Sequence, residues 1–168
     1  MGQFEDMKIR LSGLESGVYE YRMQLDDTFF EAFKNEEIKG GKVDFDVRME
    51  RNERVTMFTF SFQGEVKTEC DRCLGPMTVE VKGDEKLYVR FSDTETSEEE
   101  DVTVLPKGAA EIDLTPWLYE YVAVRVPMQH SHPEGECDPE MTKYIMEEDE
   151  PQEGECVDPR WEALKELK

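Results

Sequence analysis

The sequence predicts an α+β fold: an antiparallel β-meander with a Cys-x-x-Cys knuckle, one main packed helix and a short C-terminal helix. Three observations carry this. Apolar and charged residues alternate in long runs between Val43 and Phe91. Helix-start signals lie outside those runs, before Thr28, at Thr115 and at Asp158. Two cysteines, Cys70 and Cys73, stand where the second long run gives way to the third.

Taken in order, Lys8–Ser12 and Gly17–Leu25 both alternate and read as strands joined by a turn over Gly13–Gly17. Asp26 and Asp27 then precede Phe29, Phe30 and Phe33, the pattern of a short amphipathic helix with an acidic cap. Gly40-Gly41 closes this portion, as a simple loop or a subdomain boundary. Val43, Phe45, Val47 and Met49 alternate with Asp44, Asp46, Arg48 and Glu50, which gives a strand with one dry face. Arg51-Asn52-Glu53 makes the turn, and Arg54–Glu69 returns with Phe58, Phe60 and Phe62 on one face. Gly64 reads as a bulge that switches the face used. After the knuckle, Met77, Val79, Val81, Leu87, Val89 and Phe91 continue the alternation, with Gly83-Asp84 as a kink or turn.

Asp93–Asp101 is acidic without apolar periodicity and reads as a mobile loop. Val102–Leu105 is a further short strand. Thr115-Pro116 opens a helix, with Thr115 as cap and Pro116 in the first turn. Its apolar stripe is Trp117, Leu118, Tyr121, Val122 and Val126, and Pro127 stops it. A polar, acidic segment follows, with a helical turn near Met141–Met146 and a second acidic run over Glu147–Glu155. Asp158-Pro159 caps a last helix bearing Trp161, Leu164 and Leu167. The 168 residues fit one domain, with a strand and helix portion over 1–41 and the sheet, knuckle, helix and C-terminal segment over 42–168.

Charge narrows the partners. Twenty Lys and Arg stand against 41 Asp and Glu, a formal net charge of −21. Such a field repels a phosphate backbone at long range. Contact with RNA therefore needs a local basic patch or a protein intermediary. Arg72 in the knuckle, with Lys67, Lys82, Lys86 and Arg90 on the charged side of the strands, is the candidate patch for RNA or a partner. Pairing with Glu65, Glu80 and Glu85, and of Arg72 with Glu69 or Asp71, is the plainer reading of the same residues. The amino terminus carries no basic region followed by an apolar run and no stretch reaches 18 apolar residues, so the expected compartment is the cytoplasm, with no membrane partner.

Four cysteines without an export signal favour reduced thiols or a metal over disulfides. Two thiols separated by two residues form half of a structural zinc site when the backbone turns sharply, as Gly75-Pro76 allows. Cys137 and Cys156 can complete four ligands with Cys70 and Cys73. The alternative is four unconnected reduced cysteines. A redox pair is disfavoured because no βαβ unit surrounds it. His130-x-His132 could hold a catalytic metal, but the pair lies in a proline-flanked loop and reads more simply as two exposed histidines. There is no glycine-rich phosphate loop and no Gly-x-Ser-x-Gly. The expectation is a protein that is not an enzyme and takes no small-molecule substrate.

Cys70-Asp71-Arg72-Cys73-Leu74, between two alternating strands, resembles the C-x-R-C-L signature of the YceD family, the large ribosomal RNA subunit accumulation proteins. Ile112-Asp113-Leu114, followed by the helix to Val126-Pro127, His130, His132 and Cys137, is similar to that family's next segment. Asp158-Pro159-Arg160-Trp161 and the residues to Lys168 are similar to its ending. The resemblance covers the chain from about Val43 onward. It implies a cytosolic, non-enzymatic ribosome-biogenesis factor needed for accumulation of large-subunit (23S) ribosomal RNA. Its partners would be a ribosomal RNA precursor, a ribosomal protein or pre-ribosomal particles. It also implies a histidine near position 132, which makes His132 a rival to Cys156 as fourth ligand. An acidic adaptor or chaperone for a basic ribosomal protein is the alternative, and a metal-dependent hydrolase on His130 and His132 is the third.

Overall fold

A computed structural model describes residues 4–35, 37–52, 55–92 and 102–143. The alternation between Val43 and Phe91 becomes three long strands: β3 (Gly40–Arg51), β4 (Val55–Glu69) and β5 (Pro76–Phe91). They follow β1 (Lys8–Arg10), β2 (Gly17–Leu25) and helix α1 (Asp27–Phe33), and they precede β6 (Val102–Leu105), β7 (Glu111–Asp113) and helices α2 (Thr115–Arg125) and α3 (Pro139–Thr142). Among the described residues, five strands form one sheet in the order β2-β3-β4-β5-β6. All neighbours in it are antiparallel except β5 and β6, which run parallel. The fold is α+β, as the alternation and the separate helix signals predict.

One sheet face carries the core. Because side chains alternate, Val43, Phe45, Val47 and Met49 of β3 and Phe58, Phe60, Phe62 and Val66 of β4 all point the same way and are buried. Val81, Leu87 and Val89 of β5 join them, while Val79 is partly buried. Phe29 and Phe30 from α1 and Leu118 and Val122 from α2 belong to the same core. Each such side chain stabilises the fold by about 1.5–3 kcal/mol through burial. The opposite face stays wet, lined by residues such as Asp44, Asp46, Arg48, Ser61, Gln63, Lys82 and Lys86.

Local signals set the helix ends. Asp26 caps α1, its carboxylate accepting from the Phe29 amide at 3.0 Å. At α2 the N-cap position is Leu114, which supplies no side-chain cap, in place of the expected Thr115. The Asp113 carboxylate accepts from the Thr115 amide at 3.0 Å, whereas the Thr115 hydroxyl is buried without a partner among the described residues. Trp117, Tyr121 and Val126 of the predicted stripe are only partly buried, around fully buried Leu118 and Val122.

Four further expectations are corrected. The segment from Lys8 pairs not with β2 but with β7, Ile9 opposite Ile112. That pairing buries both isoleucines and ties the amino-terminal part to the start of α2 through the Leu114 amide and the Met7 carbonyl. Gly40 and Gly41 form no loop; they open β3 opposite Lys67 and Val66. Gly64 is no bulge: β4 pairs without a break from Val55 to Glu69, and the even positions stay on the buried face throughout. A Cβ at Gly64 would collide with the backbone of Lys42 and Val43, so glycine serves close strand approach. Gly83 likewise lies inside unbroken β5, opposite Phe62, where a Cβ would stand 2.9 Å from the ring and from the Arg125 guanidinium. Both acidic runs, Arg54, Cys156 and the helix expected after Asp158 lie outside the described residues.

Candidate metal centre

Strands β4 and β5 remain paired down to Glu69 opposite Pro76, so Cys70 to Gly75 must reverse the chain. The Cys70 amide donates to the Gly75 carbonyl and the Leu74 amide to the Cys70 carbonyl, both at 2.8 Å. Leu74, not Gly75, takes the left-handed backbone that the reversal requires, at φ 57°. That costs a leucine roughly 1–2 kcal/mol. A Cβ at Gly75 would stand 3.3 Å from the Cys73 sulfur, a tight contact that glycine avoids. The result is that both knuckle thiols are buried while the Leu74 side chain is 64% exposed.

The loop after α2 closes on this knuckle. The Asp71 amide donates to the His130 carbonyl at 2.9 Å, and the His130 amide donates to the Asp71 carboxylate at 2.7 Å. The His130 ring lies 3.0 Å by Nδ1 from the Pro127 carbonyl and 3.0 Å by Nε2 from the Thr68 hydroxyl. A carbonyl only accepts, so Nδ1 carries the hydrogen, and Nε2 shares a hydrogen bond with buried Thr68. His130 is therefore a latch, with its side chain only 13% exposed, and is neither a metal partner of His132 nor a free loop residue. Its ring and that of His132 serve different partners. No feature of the sequence beyond its place after Pro127 marked this role, and Thr68 read only as a strand residue.

The latch delivers His132 and Cys137 to Cys70 and Cys73, and the four ligand atoms all lie within 4.8 Å of one another. Cys70 and Cys137 sulfurs are 3.9 Å apart, and His132 Nδ1 is 3.3 Å from the Cys73 sulfur and 4.0 Å from that of Cys137. Zinc bound tetrahedrally, with bonds of about 2.3 Å to sulfur and about 2.0 Å to nitrogen, sets such atoms roughly 3.5–3.8 Å apart. The histidine tautomer also fits. His132 Nε2 lies 3.3 Å from the Pro76 carbonyl, so it carries the hydrogen and leaves the Nδ1 lone pair facing the thiols.

The two knuckle thiols are favoured for ionisation, and Cys137 is not. Burial opposes charge on Cys70, but amides of Cys73, His132 and Arg72 point at its sulfur and bring its pKa down to about 6. The Arg72 and His132 amides lie 3.4 Å from that sulfur. Cys73 is lowered by the amides of Asp138 and Gly75. Cys137 is raised by burial and by the two neighbouring thiols, and His132 is raised chiefly by Cys73. Amides favour sulfur anions here while the anions repel one another. A cation at the centre resolves that conflict. Cys70, Cys73, His132 and Cys137 would hold it, closing four positions and supplying a structural cross-link between the knuckle and the loop after α2.

Residues 58–168 match the family model described as large ribosomal RNA subunit accumulation protein YceD. The chain belongs to the YceD family. No curated protein and no solved structure matches it. In this YceD chain the candidate basic residues do not converge on the centre. Arg72 is exposed at the knuckle, and among the described residues its guanidinium makes no ion pair: Glu69 faces Lys39 and Asp71 faces His130. Lys67 is held by Asp27 at 2.8 Å. Lys82 and Lys86 lie on the wet face opposite Gln63 and Thr59, and Arg90 stands opposite Val55 at the far end of β5. The pairing expected of Glu85 is with α2 instead, through Arg125. Among the described residues no helix is long and apolar enough to cross a membrane.

Proposed function

We propose that this protein is a non-catalytic cytoplasmic factor in large-subunit ribosomal RNA accumulation, whose rigid metal-clamped knuckle presents Arg72 and Leu74 to a pre-ribosomal partner. The family supports the link to large-subunit ribosomal RNA. The observation that carries the knuckle reading is the closed set of three thiols and one imidazole. We read the ion as zinc, because thiolate and imidazole ligands at these separations suit it. With four protein ligands, no position remains for substrate or activated water, and the metal's contribution is to folding. Arg72 lies between two ligands, where an arginine fork meets a phosphate or carboxylate without reorganising the backbone.

The alternative, an acidic adaptor for a basic ribosomal protein, is favoured by the net charge of −21. One experiment separates them. Tagged protein is captured from lysate with and without ribonuclease, beside the Arg72→Ala variant. Retention of large-subunit RNA that Arg72→Ala reduces supports direct contact. A basic protein that survives ribonuclease treatment supports the adaptor. Normal large-subunit RNA levels in cells lacking the protein would sink both.

A further inference from the structure

Among the described residues, the two edges of the main sheet are unlike. One is β6, only Val102–Leu105, too short to template another strand. The other is β2, nine residues from Gly17 to Leu25, paired with β3 on one side in unbroken register and with no described strand on the other. The devices that blunt natural edges include a proline, a bulge and an inward-pointing charge. In β2 the residues on the core face are Tyr19, Tyr21, Met23 and Leu25, and none of those devices is present.

The strand is self-complementary about its centre. Laid antiparallel on itself with Tyr21 opposite Tyr21, it sets Glu20 of each copy against Arg22 of the other. The same register places Tyr19 opposite Met23 and Val18 opposite Gln24. Neighbouring residues extend the charge match. Arg48 stands beside Glu20 and Asp46 beside Arg22 in the β2–β3 ladder. Across the junction the row would read Asp46, Arg22, Glu20, Arg48, alternating in sign, and the two-fold axis repeats it. Among the described residues Glu20 has no ion pair of its own, because Arg48 turns to Glu50 at 3.1 Å. The Arg22–Asp46 contact is 91% and 73% exposed at its two side chains, so it contributes little within one chain. Tyr19 and Tyr21 are half-buried and Val18 is 55% exposed, which leaves apolar surface at this edge to be covered.

We propose that β2 is a homodimer interface, two copies joining edge to edge about a two-fold axis through Tyr21 to make one continuous ten-stranded sheet. The axis stands perpendicular to the sheet, so the helix-covered faces of both copies lie on one side. Leu25 is the end of β2 nearer the knuckle, so the two metal centres would sit at opposite ends of the dimer and face different partners.

The test is sedimentation equilibrium over a dilution series on wild type, Glu20→Arg, Arg22→Glu and an equimolar mixture of the two variants. Glu20→Arg gives each strand two positive charges and Arg22→Glu two negative ones. Each variant alone should be monomeric where wild type is dimeric, and the mixture should recover the dimer. A monomeric wild type overturns the proposal, as do variants that dimerise like wild type or a mixture that stays monomeric. Wild-type amide exchange guards against misfolding of the variants. Residues 17–25 should exchange more slowly at high than at low protein concentration, and unchanged exchange there also overturns it.

Discussion

Asp71 and His130, 59 positions apart, exchange two hydrogen bonds: one amide meets a carbonyl and the other meets a carboxylate. This contact joins the knuckle to the loop that supplies its other two ligands. Asp71→Ala removes one half of it and should cost about 1 kcal/mol of stability. Metal affinity should fall roughly 10–100-fold, because the contact orients ligands without being one. Chelator competition reads this. Unchanged affinity would mean that the loop docks through its ligands alone.

The fourth ligand is open to a direct decision. His132→Ala should lose the metal, and Cys156→Ala should retain it, measured as zinc per chain by elemental analysis. The reverse result would place Cys156 in the site. Removing the metal from wild type with a chelator should lower the melting temperature, since the knuckle and the loop after α2 lose their cross-link.

Phe60 is fully buried between sheet and helices and lies 5.1 Å from the Tyr121 ring, centroid to centroid. Phe60→Ala should cost about 3–5 kcal/mol in urea unfolding. A loss below about 1 kcal/mol would mean that the cavity collapses without penalty.

Asp27 links α1 to the sheet, accepting from Lys67 and from the Gly41 amide. The Lys67 bond above all, with the Gly41 amide, holds its carboxyl below the usual carboxylate range. A folded-state pKa that is depressed stabilises the protein above the unfolded value of about 3.9, and that contribution is lost as pH falls through the folded value. Asp27→Asn should therefore flatten the acid limb of a stability–pH curve below about pH 4. An unchanged acid limb would assign it to other carboxylates.

Gly83 leaves room for Phe62 on the neighbouring strand. Gly83→Val should destabilise the fold by about 1–3 kcal/mol, because the ring has to leave its packed position. Thermal melting against Val79→Ala, a partly buried control, isolates the effect.

The strands, the core face, the Asp26 cap and the knuckle were legible in the sequence because each is a local pattern. Alternation with period two places Phe58, Phe60 and Phe62 on one face whatever lies opposite. Cys70 and Cys73 are near each other at any turn that spans two residues. Tertiary structure decided what depends on distant partners: β1 with β7, β6 parallel to β5, and the unbroken passage of β4 and β5 through Gly64 and Gly83. Those glycines read as breaks because the sequence shows only their flexibility, while the space they save belongs to another strand. The same holds at the metal centre. His130 and His132 are alike in sequence, and only the positions of Thr68 and Pro127 around one ring, and of Pro76 and three sulfurs around the other, make one a latch and the other a ligand.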